Sequence, residues 1–128
     1  MGDDVRSHII NISLLRELQQ AFQKDICELI DIYLHDANRK IANLYKALNE
    51  ANLENFAAAA RELRLRSLDI GAIQFSFRCL ALEMAIQEMR LESLEPLTAM
   101  VEQQLTPVLK ALALIKNKAE ETNSKVLF

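Results

Sequence analysis

From Ile26 to Leu48 the apolar residues Ile26, Leu29, Ile30, Tyr33, Leu34, Ala37, Ile41, Leu44 and Leu48 recur three and four apart, with polar residues between them. That spacing keeps one narrow stripe on a single face of a helix about six turns long. Such a stripe has to be covered, and the rest of the 128-residue chain decides by what. With only two glycines and two prolines against a hydrophobic share of 51%, the chain has too few turn residues for many strands. The cover is therefore more helix, and the predicted class is all-α in a single domain.

Other helices can be read on either side of the long one. Ser13 can cap a short first helix carrying Leu14, Leu15, Leu18 and Phe22 at helical spacing. Asn52 is a candidate N-cap for a helix that runs to Gly71, where the residue of lowest helix propensity short of proline interrupts it. A further helix starts near Ala72 with Ile73, Phe75, Phe77, Leu80, Leu82, Met84, Ile86 and Met89, dense enough to read as buried on more than one side, so that Phe75, Phe77, Met84 and Met89 are assigned to the core. Ser93 can cap the last helix, with Glu95 and Pro96 suited to its first turn, and Pro107 predicts a kink because it removes one backbone hydrogen bond. Short connections make consecutive helices antiparallel neighbours. The expected architecture is an up-down-up-down four-helix bundle over residues 13–118, with the short N-terminal helix across one end and tails at 1–12 and 119–128.

Charge and composition narrow the function. A net charge of −3 argues against nucleic acid as partner, since neutralising phosphates needs a basic surface. No apolar run is long enough for a membrane span, and the start MGDDVRSHII is acidic where a secretory signal is basic. Cys27 and Cys79 lie in apolar periodic segments without CxxC spacing, which suits reduced thiols and a cytoplasmic setting. No metal constellation or phosphate-cradling glycine loop is present in the sequence, and neither Ser67 nor Ser76 has a histidine nearby, so no cofactor and no enzymatic activity are expected. His35 reads as an ordinary surface histidine, and His8 lies near the terminus.

The segment ARELRLRSLDIGA, residues 60–72, is the most informative. With Phe56 set at zero on a helical wheel, Ala60, Leu63, Ser67 and Ile70 fall within about 40° of it and define the buried face. Arg61, Leu65 and Leu68 fall at about 140°, 180° and 120°, with Arg64 at about 80°. Two leucines beside two arginines on an outer flank suit a protein contact; the alternative is that another helix or the N-terminal lid covers them.

The chain resembles the histidine phosphotransfer (HPt) family, the four-helix modules of multistep phosphorelays, from Ile26 to about Arg90. LIDIYLHDANRKIANLYKAL is similar to a characteristic helix of that family through Tyr33, Leu34, Asp36, Ala37, Leu44, Ala47 and Leu48, and IGAIQFSFRCLALE to another through Gly71, Ala72, Cys79, Leu82 and Glu83. Between them the family carries Ala-His-x-Leu-Lys-Gly-Ser-Ser. This chain matches it at Ala60, Leu63 and Ser67, keeps the positive charge at Arg64, and has Arg61 in place of the phosphoaccepting histidine and Leu65 in place of the small glycine.

A guanidinium stays protonated at physiological pH and cannot act as a nucleophile, so Arg61 cannot carry a phosphoryl group. The resemblance implies a degenerate HPt domain that binds a response-regulator receiver domain or a histidine kinase without passing phosphate, through Arg61, Arg64, Leu65, Leu68 and Glu83. Receiver active sites are acidic, which suits Arg61 and Arg64 as their partners; Glu83 has the alternative role of pairing with Arg61 inside the domain. The competing reading is a helical scaffold unrelated to phosphotransfer, dimerising through Leu65 and Leu68.

Overall fold

The computed structural model describes residues 9–22 and 25–126, and it is all-α. The helices are α1 (Ile12–Phe22), α2 (Ile26–Asn49), α3 (Leu53–Asp69), α4 (Ile73–Gln87) and α5 (Leu94–Val126), with a single 3-10 turn at Leu91–Ser93 before α5. Helices α2 to α5 pack in sequence order, and α5 closes the square against α2. This is the up-down-up-down arrangement that short connections impose.

Local chemistry sets the helix starts. Asp25 caps α2 by accepting a hydrogen bond from the Cys27 amide at 2.9 Å, and Asn52 caps α3 through the Asn55 amide at 2.9 Å. The first helix is capped by Asn11, whose Oδ1 accepts from the Leu14 amide at 2.9 Å. Ser13, the sequence-based candidate, already lies inside α1, because Asn11 reaches the third amide on and leaves Ser13 nothing to cap. Helix α5 runs unbroken through Pro107, which interrupts the hydrogen-bond ladder without ending the helix. The side chains of Leu18 and Phe22, and the whole of His8, lie outside the described residues.

All three turns of the bundle are built alike. After α2, the Ala51 amide donates to the Leu48 carbonyl and the Asn52 amide to the Ala47 carbonyl; Gly71 and Ala72 do the same with Leu68 and Ser67, and Met89 and Arg90 with Ile86 and Ala85. Each pair is a Schellman motif, which ends a helix by turning one residue into the left-handed region. That residue is Ala51 at φ +53°, Gly71 at φ +83° and Met89 at φ +56°. Only one of the three is glycine.

The core runs the length of the bundle, with Ile30, Leu44, Phe56, Leu63, Leu82, Leu94 and Leu112 fully or almost fully buried. Ile10 and Leu15 bring the N-terminal arm into it, and the Asn11 amide donates to the Gly71 carbonyl at 2.9 Å. The arm therefore seals the end of the bundle where α3 turns into α4. A Cβ on Gly71 would stand 3.0 Å from the Asn11 carbonyl oxygen.

Gly71→Ala should lower stability by roughly 1–2 kcal/mol, from the left-handed backbone alone, with the Asn11 contact adding to it. Ala51→Gly should act in the opposite sense by roughly 0.5–1 kcal/mol, because relief of the same strain outweighs the added freedom of the unfolded chain. Urea unfolding of the two variants beside the parent checks both signs.

Candidate functional site

Helix α3 buries Phe56, Ala59, Ala60, Leu63 and Ser67, the face its spacing predicts. Two polar contacts fix its rotation. On the α2 side, the Ser67 hydroxyl donates to the Leu63 carbonyl at 2.7 Å, so the buried Tyr33 hydroxyl donates to Ser67 Oγ at 2.8 Å. On the α4 side, Arg64 forks onto Glu83, with Nε 2.5 Å from Oε2 and Nη2 3.2 Å from Oε1. The hydrogen bond to Glu83 holds the Arg64 guanidinium still more firmly protonated than usual. Lys40 adds an ion pair to Glu62 between α2 and α3.

This leaves a definite outer face. Arg61, Leu65 and Leu68 are exposed, the two leucines at 42% and 37%, so neither a neighbouring helix nor the N-terminal lid covers them. Arg61 has no ion-pair partner among the described residues. Glu83 engages Arg64, one turn on from Arg61, and the alternative pairing of Arg61 with Glu83 is not formed. The reason is angular: Arg64 stands about 60° nearer to α4 on the wheel of α3 than Arg61 does. Thus the sequence-predicted set divides in two. Arg61, Leu65 and Leu68 point outward together, and Arg64 with Glu83 ties α3 to α4.

Three apolar residues of α4 and its C-terminal turn that the sequence places in the core are on the surface. Phe77 is 66% exposed, Met84 44% and Met89 69%, and only Phe75 of the four is buried. The signal was present in the spacing. With Phe75 at zero, the buried Cys79 and Leu82 lie at about 40° and 340°, whereas Phe77 and Met84 lie at about 200° and 180°. The overall apolar density of α4 concealed that opposition. Across α5 from Phe77, Met100 is also exposed, and a groove of about 400 Å³ lined by Phe77, Arg78, Ala81, Leu97 and Met100 runs between the two helices.

The fold on which these residues sit has close structural counterparts. Histidine-containing phosphotransfer protein B from Pseudomonas aeruginosa PAO1 superposes with a TM-score of 0.79 at 18% identity, covering 86% of this chain and 96% of its own. The chain has the HPt fold. A rice protein described as a histidine-containing phosphotransfer protein superposes with a TM-score of 0.76 at 17% identity, covering 88% of this chain and 83% of its own. No family model and no curated protein sequence matches the chain.

Within this HPt fold, His35 is exposed on α2 and is the one histidine among the described residues. A guanidinium has no free nitrogen lone pair, so Arg61 can grip an anion and cannot attack a phosphoryl group. Beneath the site, burial, reinforced by the charge of Glu83, pushes the Cys79 thiol up to about 12 from its ordinary 9.0, and Tyr33 is shifted upward from 10.0, also chiefly by burial.

Both groups are neutral in the folded state and ionise more readily once unfolded, so their contribution is complete below about pH 9 and declines as pH rises through 9.0 toward about 12. Thermal midpoints measured from neutral to strongly alkaline pH should therefore fall, and the fall should be shallower in Cys79→Ala. An equal slope in that variant would show that Cys79 has no part in the alkaline loss.

Proposed function

We propose that this protein is a pseudo-HPt signalling protein of a two-component phosphorelay: it binds a response-regulator receiver domain or a histidine kinase and carries no phosphate itself. The observation that carries this reading is position 61. An HPt fold has an exposed arginine, without an ion-pair partner among the described residues, where the family signature has its phosphoaccepting histidine, on a helix whose rotation is held from both sides.

The likeness to two histidine-containing phosphotransfer proteins supports a role in the same kind of relay. The outer face supports binding without chemistry. Leu65 and Leu68 supply apolar area, and Arg61 supplies a charge that can reach an acidic pocket. Arg64 is committed to Glu83, so its part is to set the rotation of α3 and keep the face in place. A receiver held on this face is withheld from a phosphorylatable HPt partner, which makes the protein an inhibitor or, where a second partner is bound at once, an adaptor. It is not an enzyme in this reading and needs no cofactor.

The test pairs chemistry with binding. Purified protein incubated with phosphorylated receiver domains and with autophosphorylated kinases should take up no label, and radiolabel on the chain overturns the proposal. Titration calorimetry against the same receivers should find one that binds, with Arg61→Ala and Leu65→Glu each weakening it by roughly tenfold or more. Binding unchanged in both variants removes the proposed face from the contact.

A further inference from the structure

The exposed side of α4 is complementary to itself. Phe77 and Met84 are two turns apart on one ridge, with Ala81 between them and partly buried. Arg78 stands near the N-terminal end of this ridge and Glu88 just past its C-terminal end. Arg78 has no ion-pair partner among the described residues. Glu88 is bridged to Arg90 at 2.8 Å, but both side chains are about half exposed, and surface pairs of that kind contribute little.

We propose that two copies of this chain associate through α4, the helices running antiparallel about a two-fold axis beside Ala81. In an isologous contact each residue meets its counterpart across the axis. Phe77 of each copy then faces Met84 of the other, with the small side chain of Ala81 letting the backbones approach. Arg78 lies opposite residue 83 of the second copy, about 7.5 Å along the axis from its Glu88. Side chains on a helix lean toward its N-terminus, so in an antiparallel pair Arg78 and the opposing Glu88 lean toward each other and close that gap. A parallel pair sets arginine beside arginine and glutamate beside glutamate. Charge therefore selects one orientation, and the exposed Met100 on α5 extends the apolar area on either side of the ridge.

This contact is independent of the phosphorelay reading and leaves Arg61 and Leu65 free. It also differs from a dimer built on Leu65 and Leu68, the scaffold alternative suggested by sequence. A dimer of this kind presents two receiver-binding faces per particle.

Sedimentation equilibrium of the full chain over a wide concentration range decides the matter. The parent protein should move from the monomer mass of 14.6 kDa to twice that value as concentration rises. Phe77→Glu and Met84→Glu, both at exposed positions, should each hold it at the monomer mass, and Leu65→Glu should leave the dimer intact. Arg78→Glu and Glu88→Arg should each raise the dimer dissociation constant roughly tenfold, and the double exchange should restore it, which a merely structural disturbance would not do. A monomer at every concentration overturns the proposal. So does a dimer that survives both α4 variants or is lost in Leu65→Glu alone.

Discussion

Helix α3 is gripped from both flanks, by the Tyr33 hydroxyl through Ser67 and by the Glu83 carboxylate through the fork of Arg64. The apolar face of a helix tolerates some rotation, because leucine and alanine contacts have no preferred direction. Hydrogen bonds do have one. The Tyr33 bond is buried, where leaving a donor unmet costs about 1–3 kcal/mol, so it sets the angle at which α3 presents its other side. Arg61, Leu65 and Leu68 are on the surface as a consequence of that angle.

The polar groups taken into the interior follow the same economy. Ser67, Ser76 and Thr98 donate to the carbonyls of Leu63, Ile73 and Leu94 in their own helices, and among the described residues no buried side-chain nitrogen or oxygen lacks a partner. The turns are equally self-contained. Three Schellman motifs close three helices on their own carbonyls, so the bundle reverses direction without long loops, and the N-terminal arm ties itself to the middle turn through the Gly71 carbonyl. A rigid frame of this sort suits a protein that presents a fixed surface.

Position 61 gives that surface its chemical character. A neutral imidazole offers a lone pair for phosphoryl transfer, and a guanidinium does not. A guanidinium can pair with a carboxylate and cannot react as a nucleophile. On α4, the ridge of Phe77 and Met84 is a second exposed apolar feature, separated from Arg61 by the Arg64–Glu83 tie between the helices. The two surfaces lie on different helices of the bundle.

Sequence alone determined the helices and the buried face of α3, since a period of 3.6 residues fixes which side chains share a side regardless of what packs there. It also determined that residue 61 cannot be a nucleophile. Tertiary structure decided the rest. Arg61 and Arg64 are one turn apart and both long enough to reach a carboxylate, and the wheel of α3 does not say on which side α4 lies, so only the packing of α3 against α4 could assign Glu83 to Arg64. Ala51 and Met89 carry no sign of a left-handed turn, because their φ angles are imposed by the reversal of the chain, whereas Gly71 announces its own. Phe77 and Met84 stand opposite Phe75 on the wheel of α4, but the apolar density of that helix hides the opposition, and the packing of the other helices decides which of its faces is covered.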